Sequence, residues 1–291
     1  MKAQIENQIM SSLLLYVDNI ITKKGEAFSN QTTKFFKKDS RYQGYDHYAA
    51  PYKQLVPDRS IPGANILSGV TVNGSPYVSA YHVNYKEGSV YFPTAVLPAN
   101  ATVSGSYAVK EFNVYLTSAL EEELLFESKV NVRPKFAQAL TGVNNNVETY
   151  PAVFVKNNGY TYKPFTMGGT ENMLFNARLI IMADSQFSAD AVTSILMESA
   201  RDYVPMIGVS ELPFNALGAS HFYDGQSGQN VAGYNYDTLS VGKIMAGSAL
   251  FIKEVTSMRS FPAKNLGDAH VNRDLYPSIV DYTLEFQRNL P

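Results

Sequence analysis

The sequence contains no cysteine and no tryptophan. Without cysteine, disulfides, thiolate catalysis and thiolate-bound metals are all excluded. The absence also fits a reducing cytoplasm, or a particle assembled there. Charge is scarce as well, at 17% of residues, and the formal net charge is −2. A dedicated nucleic-acid binder carries a basic excess, so that class is disfavoured. Nor is there a long apolar run. Ile5, Ile9, Leu13, Tyr16, Val17, Ile20 and Ile21 recur at helical spacing, but Glu6, Gln8, Asp18 and Asn19 interrupt them. A bilayer span needs roughly 20 predominantly apolar residues, and the basic start and small-residue cleavage site of a signal peptide are weak. The segment is therefore expected to be an amphipathic helix packed on the body.

Motifs of chemistry are missing too. Gly242-Lys243 lacks the upstream Gly and the following Ser or Thr of a phosphate-binding loop, and neither GxGxxG nor GxSxG occurs. His47, His82, His221 and His270 are far apart, with no HxxxH pair. Ser220, His221 and Asp224 share one Gly-rich stretch, whereas triad members need separate rigid supports. The run from Asp224 to Asn230 holds one acid where a calcium loop needs several. Sequons at Asn30, Asn73 and Asn100 carry little weight without a secretory signal. No catalytic residue, cofactor or metal ligand is nominated.

What the chain does have is polar and aromatic mass, including 20 Tyr and 16 Phe. Tyr suits strands and protein interfaces, where the ring buries area and the hydroxyl finds a partner. The expected class is α/β (α+β): a mixed, largely antiparallel sheet flanked by helices, with an inserted small antiparallel β module. Residues 1–62 are expected to supply the N-terminal helix and a long polar, aromatic loop from Thr22 to Gly63, kept extended by Pro51, Pro57 and Pro62. Residues 63–117 read as the β module, with the hairpin signal Asn73-Gly74 and alternation through Phe112, Val114 and Leu116. Residues 118–291 read as the main body. Within it, Ser118 caps a short helix through Glu121–Glu123, and strands are expected at Val147–Lys156, Tyr160–Pro164 and Leu174–Met182. A helix capped by Ser188 follows, then strands at Thr238–Val255, bent at Gly247, and Ser278–Gln287.

The best functional candidate is the loop from Lys34 to Arg59, where cations interleave with aromatics. Lys37, Lys38, Arg41, Tyr42, Tyr45 and Tyr48 are its candidate subunit-contact residues. Such a set can stack bases and meet phosphates, anchor a neighbouring subunit, or fold onto its own body; subunit contact is the preferred reading because the whole chain is not basic.

The second half carries Tyr150-Pro-Ala-Val-Phe-Val155, a break at Gly168-Gly169, Leu179-Ile-Ile-Met-Ala-Asp184 and then Ala189-Asp-Ala-Val192. Together these resemble tail-terminator and neck (head-to-tail joining) structural proteins of tailed bacteriophages. The stretches Val70-Thr-Val-Asn-Gly74, Gly88-Ser-Val-Tyr-Phe92 and Tyr107–Tyr115 resemble β insertions of phage virion proteins. The resemblance covers about half the chain, mainly residues 65–117 and 147–204, and rests on hydrophobic patterns. It implies a homo-oligomeric ring, a hexamer, that caps the tail tube and joins it to the head connector. Its partners would be other tail and neck proteins, with non-specific proximity to DNA in the channel and no membrane. It would sit in the virion, assembled in the host cytoplasm, and would not be an enzyme. Two rivals stand beside it: a receptor- or carbohydrate-binding module using Tyr45 and Tyr48, and a hydrolase in which folding gathers acids around His47 or His221.

Overall fold

The computed structural model describes residues 5–42, 44–67, 69–79, 81–119, 124, 151–164, 170–213, 222–223, 233–244, 248–259 and 276–289. The N-terminal periodicity forms helix α1 (Ile5–Lys24), with Glu6 in its first turn and Lys23 and Lys24 in its last, the signs that suit the helix dipole. Ile9, Leu13, Val17 and Ile21 are buried along one stripe. Gly25 ends the helix by donating to Ile21 O at 3.0 Å. A Cβ there would lie 2.6 Å from Ile21 O and 2.9 Å from Ile195 Cδ1, so only glycine lets the chain leave at this point.

An eight-stranded sheet follows, antiparallel at every pairing. It comprises β1 (Phe28–Tyr42), β2 (Tyr45–Ala49), β3 (Val70–Val72), β4 (Ser75–Pro76), β5 (His82–Asn84), β6 (Ser89–Pro93), β7 (Val103–Lys110) and β12 (Phe222–Tyr223), in the order β12-β5-β6-β2-β1-β7-β3-β4. β1 pairs with β7 through residues 28–35 and with β2 through residues 36–42, so one strand joins two strand clusters. Phe35, Tyr48, Tyr85, Phe92, Val103 and Tyr107 are central to this sheet's core. Phe92 meets Tyr48, Tyr77 and Tyr81 at ring distances of 5.6, 5.1 and 5.6 Å, favourable geometries for aromatic packing.

One expectation changes here. Of the segment expected to be a long loop, residues 28–42 and 45–49 are instead β1 and β2, the middle of the sheet, while residues 50–63 lie outside any strand. Its period is hidden because inward positions are polar: Thr33 faces in and bonds Tyr107 Oη at 2.6 Å. Strands β3–β7, within residues 63–117, share this sheet with residues 28–49, while β8 (Asn113–Thr117) pairs in parallel with β9 (Ala152–Pro164). The Asn73-Gly74 hairpin does form between β3 and β4, with φ of 51° and 83°, the left-handed pair a type I′ turn requires.

The second sheet has six strands in the order β11-β13-β14-β10-β9-β8, adding β10 (Thr170–Ala183), β11 (Tyr203–Pro205), β13 (Ala249–Arg259) and β14 (Tyr276–Asn289). Only the β8–β9 pair is parallel. β14 shows the expected alternation, with Val280, Tyr282 and Leu284 buried in the core shared with α1 and α2 (Gln186–Glu198). The N-cap of α2 is Ser185, whose hydroxyl accepts from Ser188 N at 3.1 Å; Ser188, expected as the cap, is the residue being capped. Residues expected to begin a strand at Thr238 form a short helix, α3 (Tyr236–Ser240), because Asn235 accepts from Thr238 N and caps it. The Asn157-Asn158-Gly159 turn is a bulge inside a continuous β9: the register slips between Phe175 and Ala177, and Gly159 holds φ of 93°. The helix expected after Ser118 falls outside the described residues except at Leu124.

The chain is thus mostly β, with two antiparallel or mixed sheets and few helices. The helix-flanked part of the expectation holds for one sheet, where α1 and α2 cover one face.

Buried polar groups tie the two sheets together. Lys110, at the end of β7, places Nζ 2.6 Å from both carboxylate oxygens of Asp18 on α1. Asp58 accepts from Asn19 Nδ2 at 2.8 Å, Ser60 N at 2.9 Å and Tyr236 N at 3.0 Å. Gly233 N donates to Tyr85 Oη at 2.7 Å, and Tyr234 exchanges backbone bonds with Pro57 and Arg59. A Cβ on Gly233 would meet Pro57 O at 1.7 Å, so this crossing needs glycine.

Candidate functional site

The nominated contact residues lie on two strands, and Lys37, Lys38, Tyr45 and Tyr48 separate onto opposite faces. Lys37 pairs in register with Tyr48, its ammonium 5.8 Å from the ring centre and 3.3 Å from Asp46 Oδ2. Tyr48 itself is 1% exposed and packs in the core, so it cannot serve as a contact or stacking platform. Lys38 pairs with His47 on the other face, and the Tyr45 ring meets His82 edge-on at 4.9 Å. Arg41 and Tyr42 end β1, and their side chains lie outside the described residues.

His47 is the nearest approach to a catalytic arrangement. Its Nε2 lies 2.8 Å from Ser89 Oγ, and its ring stacks on Tyr91 at 4.6 Å. Burial and the nearby Lys38 charge hold its pKa down at about 4, so the imidazole is neutral near pH 7. Ser89 is 1% exposed, which keeps substrate from its hydroxyl. The pair works as a buried link between β2 and β6. His221 and His270 lie outside the described residues, and these contain no cluster of three His, Asp or Glu placed to hold a metal.

Two surface features that sequence reasoning missed carry more. The first is an arm. β8 reaches only Lys156 of β9, and β13 first meets β14 at Glu285. Beyond these points the six-stranded sheet continues, among the described residues, as β9, β10 and β14 alone. Tyr160 and Tyr162 stand on this arm opposite Phe175 and Met173, rings 5.4 Å apart and edge-to-face. They are 43% and 42% exposed. Their alternate spacing on one strand was a visible signal, masked by the glycine break before them. Lys163 and Pro164 follow, residues that discourage strand addition at an edge.

The second is a hollow of about 630 Å³ on the outer face of the eight-stranded sheet. Its floor is hydroxyl-rich: Thr32 Oγ1 lies 2.8 Å from Ser106 Oγ, and Thr71 Oγ1 lies 2.8 Å from Ser104 Oγ. Arg59, Asn65 and Ile66 stand along its wall. The signal in sequence was cross-strand and non-local, since these residues come from four separate segments.

Neither a family model, a curated protein nor a solved structure matches this chain.

Proposed function

We propose that this chain is a non-enzymatic structural subunit of a tailed-phage virion, a tail terminator or neck ring component that caps the tail tube and meets the head connector. The observation that carries the assembly reading is the three-stranded arm with its exposed Tyr160–Tyr162 pair. Tyrosine offers large, stiff contact area with a polar tip, the chemistry of interface anchors. A bonded three-stranded base holds the pair in place before contact, which lowers the ordering cost of association. Repeated around a closed ring, such a contact gains avidity without being individually strong. The eight-stranded sheet, whose strands β1–β7 lie between α1 and the six-stranded sheet in sequence and whose β12 returns from the later half, is the accessory module of this subunit. The specific placement in a virion rests on the sequence resemblance.

The receptor-binding alternative built on Tyr45 and Tyr48 is weakened by the burial of Tyr48. Native mass spectrometry and negative-stain class averages test the leading reading. A defined ring, a hexamer, is expected for the wild-type protein. The double variant Tyr160→Ser/Tyr162→Ser should weaken association by about tenfold or more, as for interface anchors, with little change in Tm. A strict monomer that is also absent from particles would sink the proposal.

A further inference from the structure

The hollow on the outer face of the eight-stranded sheet has no part in the ring reading, yet it is built like a binding site. Its floor is made of in-register hydroxyl pairs, Thr32 opposite Ser106 and Thr71 opposite Ser104. Each hydroxyl has one donor and two acceptor positions, so a pair bonded once still offers capacity to a ligand. The Arg59 guanidinium makes no hydrogen bond or ion pair among the described residues. Lys34 lies two positions from Thr32 on the same face, in register with Ser104, and likewise has no acidic partner among them. Among the described residues no acid lines the hollow.

The wall is fixed in advance. Asp58, anchored by three bonds, sets the turn that carries Arg59, whose own N–H donates to Tyr234 O at 2.7 Å. Asn30 clamps the next stretch, donating to Gly63 O and accepting from Asn65 N, both at 2.8 Å. Asn65 O accepts from Ala108 N at 2.6 Å. A pre-ordered wall leaves less entropy to lose on binding.

From this we infer that the hollow binds an acidic saccharide, with a sugar carboxylate on Arg59 and the sugar hydroxyls on the Thr/Ser floor. Volume argues for a sugar over a lone anion, since about 630 Å³ falls in the range of small-molecule sites. A guanidinium grips a planar carboxylate with two parallel bonds. Ile66 and Ala64 supply apolar surface for the C–H face of the ring.

The test uses the full chain and calorimetric or NMR titration with 3′-sialyllactose, lactose and inorganic phosphate. Sialyllactose should bind, with lactose and phosphate each about tenfold weaker or more. Arg59→Gln should lose about tenfold for sialyllactose while leaving the weak lactose affinity unchanged. Gly69→Leu gives a second variant: a Cβ at Gly69 meets nothing within 4 Å, so the leucine fills the hollow and should abolish binding without lowering Tm. No binding of sialyllactose by wild type, or wild-type binding by both variants, overturns the inference. Phosphate binding as tightly as the saccharide overturns the sugar assignment. Ring formation is read separately by native mass and is expected to be the same in both variants.

Discussion

At the scale of single residues, three buried rings show how partners decide the sign of a substitution. Tyr48 Oη is buried and has no hydrogen-bond partner among the described residues. Removing an unsatisfied buried hydroxyl restores its desolvation cost, so Tyr48→Phe should raise stability by about 1 kcal/mol. Tyr85 Oη accepts from Gly233 N and donates to Leu67 O. Tyr85→Phe orphans both groups and should cost about 1–3 kcal/mol. Urea unfolding of the two variants checks the contrast; equal signs would show that local packing outweighs hydrogen bonding. His47 adds a pH dependence. Its folded pKa of about 4 lies below the ordinary 6.5 of the unfolded chain. Between those values the unfolded state binds the extra proton, so stability is intact above about pH 6.5 and declines as pH falls toward 4. The full difference is on the order of 3 kcal/mol. His47→Gln should flatten that part of the stability–pH curve, and an unchanged slope would reassign it to other groups.

At the scale of elements, what could be read in the sequence followed local signals. The stripe of α1, the Asn73-Gly74 hairpin and the alternation of Val280, Tyr282 and Leu284 each lie within a few residues of chain, and each forms. β1 and β2 were illegible because Gln31 and Thr33 take inward-side positions and their partners in β7 lie more than 70 residues away. The separation of Tyr48 from Tyr45 onto opposite faces is a consequence of that strand pairing, so the contact set could not be sorted beforehand. The hollow was equally hidden, since its floor and wall come from segments joined by strand register and long-range hydrogen bonds. β9 looked broken at Gly159 because a bulge and a turn share the same residues. Gly159 N donates to Asn157 Oδ1 at 2.8 Å, and its φ of 93° suits glycine alone. Gly159→Val should therefore cost at least about 1 kcal/mol from backbone strain. It should also misalign Tyr160 and Tyr162, weakening association more than the Tm change explains. Sedimentation at several concentrations reads the second effect, and full retention of association would separate the bulge from the interface.

At the scale of the whole molecule, the two sheets share buried polar links as well as apolar contact, and this fixes how they should unfold. The Lys110–Asp18 pair is buried on both sides, with side-chain exposures of 7% and 10%. Taking such charges out of water is costly, so the intact pair is not by itself evidence of large net stabilisation. Breaking it is different. Lys110→Met strands the Asp18 carboxylate in the junction and should cost about 3–5 kcal/mol. Asp18→Asn combined with Lys110→Met removes both charges and should recover much of that loss. Because the pair joins α1 of one sheet's core to β7 of the other, its loss acts on the junction before either core. The wild-type protein should therefore unfold with coincident far-ultraviolet and near-ultraviolet transitions. In Lys110→Met the tyrosine-rich eight-stranded sheet should separate first, moving the near-ultraviolet midpoint below the far-ultraviolet one. If the single and double variants are equally destabilised and both keep coincident transitions, the coupling resides in the Asp58 cluster and the apolar junction instead. The distinction matters for assembly, since the arm and the hollow sit on different sheets and can act as one rigid subunit only while that junction holds.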